Sequence, residues 1–180
     1  MKQKIIIGII AALFSTTVLA EDAAILNIRK IYEDIQKQSN SLQKEKLDLS
    51  TDYSTEGGQV TAYRDNAGNI KVLRVELYFE AGKIFKNFYY DDNNQLVFAF
   101  YKDYKYNSPS YVNKNNAKEM GLEPFDEKKS ILTEQRYYFD KLRLIRYVQG
   151  KKTIDAKSQE FKNAETEVIN SSREMRAKFK

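Results

Sequence analysis

The spacing of apolar residues changes from helical to strand-like and back along the chain. In residues 22–38, apolar side chains recur every three or four positions, as at Ile28, Ile31 and Ile35, and this predicts an amphipathic helix. From residue 47 to residue 148, apolar and polar residues mostly alternate between turn-forming sequences, which predicts strands joined by hairpins. A second helical stripe in residues 155–179 predicts a C-terminal helix that docks on the sheet or projects towards a partner.

These patterns together predict an α+β fold with a single antiparallel β-meander of five to seven strands, covered by the N- and C-terminal helices. A closed or strongly curled sheet is the alternative. The clearest strand lies in residues 70–80, where Leu73, Val75 and Leu77 share one face. Residues 96–101 form the most apolar run after the first 20 residues. They are expected in an interior strand, because an exposed strand of this kind would aggregate.

The alternation begins with residues 47–54, which are predicted to form the first strand. At the other end of the chain, Asp155 is the expected cap of the last helix. Residues 107–129 contain both prolines and are predicted to form a long irregular loop with one short helix-capable piece near residues 116–120. Loops of this length are uncommon in a compact domain and often carry function.

The first 20 residues have the composition of an export signal. Lys2 and Lys4 precede an apolar run, and the small residues Val18 and Ala20 fit the specificity of signal peptidase. We expect cleavage between Ala20 and Glu21, a single domain over residues 21–180, and a periplasmic or secreted location. A membrane anchor is the alternative, but the apolar run is short for a bilayer span of ~20 residues. No other segment is long enough to cross a membrane, so the mature chain is expected to have no span.

The composition excludes several kinds of chemistry. Among 180 residues there is no His, no Cys and no Trp, so a Ser-His-Asp triad, a cysteine nucleophile and an ordinary zinc site are absent. No phosphate-binding glycine motif occurs. The formal net charge is +5, but basic and acidic residues are interspersed, which argues against nucleic-acid binding. We therefore expect no catalytic residue, no metal and no cofactor.

A repeated polar pattern supplies the candidate binding residues. Arg, Glu and Tyr share one face of two predicted strands, residues 70–80 and 131–139. The candidate binding face consists of Tyr78, Glu134, Arg136 and Tyr138. Such a face would recognise a protein, a peptide or an anionic group. The alternative is a solvated face held together by cross-strand pairs.

Two blocks of sequence resemble segments shared by a family of small exported bacterial proteins of uncharacterised function. The blocks are residues 54–63 (STEGGQVTAY) and residues 135–139 (QRYYF), the second followed by Leu144-Ile145-Arg146. The resemblance implies a secreted protein with one domain. It implies no catalytic activity.

The sequence thus favours a non-catalytic exported binding protein of the cell envelope that recognises a protein or peptide. One alternative is a carrier of a small apolar ligand, and a cavity above ~300 Å³ between sheet and helices would favour it. A hydrolase would need two carboxylates across a cleft, and the acidic pairs are Asp91 with Asp92 and Glu123 with Asp126. The oligomeric state stays open.

The leader sequence gives the first testable prediction. We expect exported protein to begin at Glu21, because the residues before it match the cleavage specificity of signal peptidase. N-terminal sequencing of material recovered outside the cytoplasm checks this. Exported protein that still begins at Met1 would contradict it.

Overall fold

The computed structural model describes the backbone of residues 6–180 and the side chains of residues 21–180. Over this range the chain forms three α-helices and eight strands in one sheet. The helices are α1 (Ile6–Gln38), α2 (Ala117–Met120) and α3 (Gln159–Ala177), with a 3₁₀ turn at Glu127–Lys129. The strands are β1 (Gln43–Leu49), β2 (Gly58–Arg64), β3 (Ile70–Phe79), β4 (Gly82–Tyr90), β5 (Leu96–Lys105), β6 (Ile131–Asp140), β7 (Arg143–Gln149) and β8 (Lys152–Thr153).

The α+β class and the antiparallel meander are confirmed, whereas the strand count of five to seven is wrong. All neighbours pair antiparallel, in the order β1 to β8 along the chain, and the sheet is open. The missed strand is β8, whose two residues pair with the end of β7 after a turn at Gly150. Such a short strand leaves no periodicity to detect. β1 also lies earlier than predicted, at Gln43–Leu49, and residues 51–53 form a turn.

The two terminal helices lie on opposite faces of the sheet. Adjacent residues of a strand point to opposite faces. On β3, Val72 packs with Ile28 and Ile35 of α1, whereas Leu73 belongs to the cluster that contains Val168 of α3. The central strands are therefore buried on both faces where the helices cross them. This explains why residues 96–101 are apolar at nearly every position rather than at alternate ones.

Helix α3 docks on the sheet through the predicted stripe. Its inward-facing side chains are buried: Phe161, Ala164, Val168, Ser172 and Met175. The helix begins at Gln159 rather than at residue 155, because the Ser158 side chain accepts a hydrogen bond from the Phe161 amide at 3.1 Å. Asp155 instead accepts from the amide of Lys157 in the preceding turn.

The one polar residue in this stripe has a specific partner. The hydroxyls of Ser172 and Tyr90 lie 2.8 Å apart in a buried hydrogen bond between α3 and β4. Burial raises the pKa of Tyr90 to about 12, so the phenol stays neutral at physiological pH. The guanidinium of Arg176 lies over the Tyr90 ring and donates to the Asn94 carbonyl. These contacts define the position of α3 along the sheet.

Residues 107–129 pack against the end of the sheet that the helices leave uncovered. Val112 and Ala117 are buried, and the rings of Phe125 and Tyr106 lie 4.8 Å apart. The carboxylate of Glu127 forms a 2.6 Å ion pair with Lys83 of β4. The predicted helical piece is α2, which ends at Gly121 in the left-handed conformation. The segment is irregular but anchored along its length.

The β6–β7 turn contains an unfavourable backbone conformation. Lys141 and Leu142 have φ values of 49° and 63°. Positive φ at both central residues is required in the common two-residue hairpin turn, and glycine or asparagine normally occupies such positions. A leucine there costs about 1–2 kcal/mol of conformational energy. This turn geometry could not be predicted from the sequence, since Lys-Leu is not typical of such a turn.

The Tyr90–Ser172 contact generates a prediction about stability. Ser172→Ala should lower the free energy of unfolding by about 1–3 kcal/mol, because it leaves the buried Tyr90 hydroxyl without a partner. Adding Tyr90→Phe should cost less in that background than in the wild type. Urea unfolding of the two single variants and the double variant measures this coupling. Ser110→Ala, at an exposed serine, is the control; additive losses would show that the hydrogen bond contributes nothing.

The strained turn generates a second prediction. Leu142→Gly should give a more stable protein than Leu142→Ala, by about 1 kcal/mol, because both remove the side chain but only glycine tolerates the positive φ. Thermal melts of the two variants provide the comparison. Equal stabilities would mean that the backbone at this position relaxes to a negative φ in solution.

Candidate binding groove

A groove of about 340 Å³ lies between α1 and the sheet. Helix α1 forms one wall, and strands β5 and β6 form the floor and the other wall. The lining residues are Ile28, Arg29 and Tyr32 of α1, Phe98 and Phe100 of β5, and Arg136 and Tyr138 of β6. All of them follow Ala20, so the groove is independent of the predicted leader.

The floor is aromatic because alternate residues of neighbouring strands share a face. Phe98 and Phe100 are two residues apart on β5, and Phe98 is paired with Tyr138 on β6. The rings of Phe98 and Tyr138 lie 5.0 Å apart, and Tyr32 of α1 contacts Phe98 edge-on at 5.6 Å. Ring pairs at these separations attract each other beyond the burial of their surface. The floor is therefore formed by rings in direct contact with one another.

The rim of the groove is positively charged. Arg136 donates to the carboxylate of Glu134 and to the carbonyl of Gly150, and its guanidinium lies over the Phe100 ring. These contacts hold its side chain beside the groove. Arg29 is exposed on α1 and forms no ion pair with any side chain in residues 21–180. One fixed and one free guanidinium thus border an apolar floor.

The tyrosines behind the groove add no negative charge. Burial raises the pKa of Tyr89 to about 12, and the neighbouring Tyr32 hydroxyl acts in the same direction. Both the Tyr32 and Phe98 rings pack against Tyr89. Because the Tyr89 phenol stays protonated at physiological pH, it places no negative charge beneath the two arginines.

This arrangement suits a ligand that joins an apolar group to an anionic group. A guanidinium offers paired donors that match a carboxylate, and the aromatic floor accepts an aliphatic or aromatic group. The volume is at the lower end of the range found for small-molecule sites.

The structure places two of the four predicted site residues in the groove, one beside it and one far from it. Arg136 and Tyr138 line the groove, and Glu134 lies behind Arg136. Tyr78 is on the same face but at the other end of the sheet. It aligns with Leu132 of β6, six residues from Tyr138, which is about 20 Å along the strand.

Tyr78 instead belongs to a separate polar cluster on β2 and β3. Its hydroxyl donates to the Glu76 carboxylate at 2.9 Å, and Gln59 donates to the same carboxylate. Partial burial, and then the hydrogen bond to Glu76, raises the pKa of Tyr78. This cluster combines one contact within β3 and one between β2 and β3, and its residues do not line the groove.

Sequence reasoning missed Arg29, Tyr32, Phe98 and Phe100 as groove residues. The pattern assigned the stripe of α1 to a shared core and gave Phe98 and Phe100 only a packing role. The available signal was the unbroken apolar run of β5, which requires cover on both faces. That signal does not say which helix covers which face, so the partners of Phe98 could not be named.

The acidic pairs have local structural roles. Asp92 pairs with the buried Lys71 at 2.6 Å, and Asp91 accepts from the Gln95 amide within the β4–β5 turn. In the 107–129 segment, Glu123 pairs with Lys129, which lowers the pKa of Glu123. Asp126 caps the 3₁₀ turn. Within the described residues, no group of three or more acidic side chains is arranged to hold a metal ion.

Within the described part of the chain, no helix combines the length and the apolar character that crossing a membrane requires. Comparison of the chain with protein-family models, curated proteins and solved structures found no match.

Proposed function

We propose that this protein is a non-catalytic exported binding protein of the cell envelope, and that the groove between α1 and β5–β6 binds an apolar group carrying a carboxylate. The observation that carries the proposal is the pairing of an aromatic floor with Arg29 and Arg136 at the rim. The carboxylate would bind the two guanidiniums, and the apolar group would lie on Phe98 and Phe100.

Two sources could supply this chemistry. One is the C-terminal residue of a peptide or protein, which combines a free carboxylate with an apolar side chain. The other is a small apolar acid, in which case the protein acts as a carrier. The volume of about 340 Å³ exceeds the ~300 Å³ that favours a carrier, and it accommodates either a small acid or a single large residue. The groove is open along one side, which favours the peptide because the rest of its chain can leave without a clash.

The export of this protein stays part of the proposal. The leader-like composition of residues 1–20 supports it. Glu21 and Asp22, the first residues after the proposed cleavage site, form ion pairs with Arg146 of β7 at 3.1 and 3.3 Å. These pairs would hold the first turn of α1 on the sheet after cleavage, so removal of the leader would leave the groove intact.

The absence of tryptophan permits a direct binding test. Since the chain contains no Trp, the indole fluorescence of a probe peptide reports only on the probe. The probe ends in a C-terminal Trp with a free carboxylate. The same peptide with a C-terminal amide tests the carboxylate, and free indole-3-propionate represents the small acid. We expect the free-acid peptide to bind at least about tenfold more tightly than the amide, a difference of ~1.4 kcal/mol.

Variants connect this binding to the groove. Arg29→Gln and Arg136→Gln should each weaken the free-acid peptide by about tenfold or more and leave the amide nearly unchanged. Arg143→Gln, at an exposed arginine outside the groove, is the matched control. Thermal melts show whether each variant is folded. Failure of both indole probes to bind, or equal binding of acid and amide, would overturn the proposal. Tighter binding of indole-3-propionate than of the peptide would identify a carrier.

A further inference from the structure

The groove continues onto a part of the sheet that α1 does not cover. Beyond Phe100 and Arg136, the next residues on the same face are Lys102 of β5 and Glu134 of β6, which are paired across the strands. Both are half-exposed. A ligand that leaves the open side of the groove in this direction therefore meets Lys102 first.

Lys102 has no acidic partner although a carboxylate faces it. The carboxylate of Glu134 is bound by Arg136 on its own strand. Among the side chains of residues 21–180, none forms an ion pair with Lys102. Its neighbour on this face, Lys83 of β4, is by contrast neutralised by Glu127. Within the part of the chain whose side chains are described, Lys102 is thus a cation beside the groove that forms no ion pair.

The Phe100 ring fixes where this charge lies. The ammonium of Lys102 is 5.3 Å from the ring centroid, and the guanidinium carbon of Arg136 is 5.4 Å from the same centroid. Both cations are within the distance at which an aromatic ring attracts them. Phe100 therefore holds two cationic side chains at the mouth of the groove, Arg136 paired with Glu134 and Lys102 outside that pair. They lie on neighbouring rows of the sheet separated by about 7 Å.

This spacing matches an extended peptide with an acidic residue before its C-terminal residue. Consecutive Cα atoms lie ~3.8 Å apart, and the side chain of Glu adds reach on one side of the backbone. The terminal carboxylate can then bind Arg136 while the preceding carboxylate reaches Lys102. We infer that the groove selects peptides that end in an acidic residue followed by an apolar residue, an inference that rests on the proposed function. Lys102 is the residue that binds the acidic side chain.

The test compares two probes that differ by one neutralised charge. Both are tetrapeptides with a free C-terminal carboxylate, Ala-Ala-Glu-Trp and Ala-Ala-Gln-Trp, and binding is followed by indole fluorescence. On the wild-type protein we expect the Glu probe to bind about fivefold more tightly, a difference equivalent to ~1 kcal/mol for a partly exposed ion pair. The preference should shrink as salt is added, because screening weakens the pair.

Lys102→Gln should abolish the preference and leave the affinity for the Gln probe unchanged. Lys105→Gln is the matched control, because Lys105 is exposed on the same strand but points to the opposite face; its preference should equal that of the wild type. If the Lys102→Gln variant still prefers the Glu probe, the arginines bind the acidic side chain and the inference is wrong. If the wild type binds both probes equally, the inference fails while the proposed function stands. If neither tetrapeptide binds but indole-3-propionate does, the inference fails and the protein is a carrier; if indole-3-propionate does not bind either, the proposed function itself fails.

Discussion

The structure depends on burial of both faces of the same strands. Where α1 and α3 cross the sheet, Val72 and Leu73 of β3 point into different cores, and Phe98 and Ala99 of β5 do the same. An antiparallel meander of eight strands consists of local pairings, but it has two faces and cannot hide either of them alone. Each terminal helix covers one face, so the loss of either would expose a row of aromatic and aliphatic side chains. With no cysteine to form a disulfide, packing alone must hold this arrangement.

The groove arises from a mismatch between a narrow helix and a wide sheet. Helix α1 covers the row that contains Val72, Tyr89 and Phe98, but the next row, with Phe100 and Arg136, lies at its edge. A side chain at this edge is half-buried, with one side against the helix and one side towards solvent. Aromatic residues and arginines suit such positions, because each joins a flat apolar surface to a polar group. The chemistry of the groove therefore follows from the position of the edge of α1 on the sheet.

Much of the local structure could be predicted from the sequence. Alternation placed Leu73, Val75 and Leu77 on one buried face of β3, and the structure keeps them together. The stripe of α3 could also be predicted, because its apolar residues recur at helical spacing, and Ser172 falls within it. The partner of Ser172, Tyr90, was not predictable, since it is 82 residues away in the chain. The short β8 and the left-handed conformation of Leu142 left no signal, because neither shows as a periodic pattern.

The candidate site shows where sequence reasoning ends. Strand parity correctly placed Tyr78, Glu134, Arg136 and Tyr138 on one face, because side chains alternate strictly along a strand. Parity cannot give the offset along the strands between Tyr78 on β3 and Tyr138 on β6, because this offset depends on the register of three intervening strand pairs. It also cannot say which face a helix covers, because an amphipathic helix fits either side of a sheet that is apolar on both. Periodicity along the chain was enough to predict the two terminal helices, the meander between them and which residues of a strand share a face, because each is a local repeat of side-chain direction. Only the tertiary structure decided that α1 lies over Phe98 and Tyr138, and so which of these polar residues border a groove.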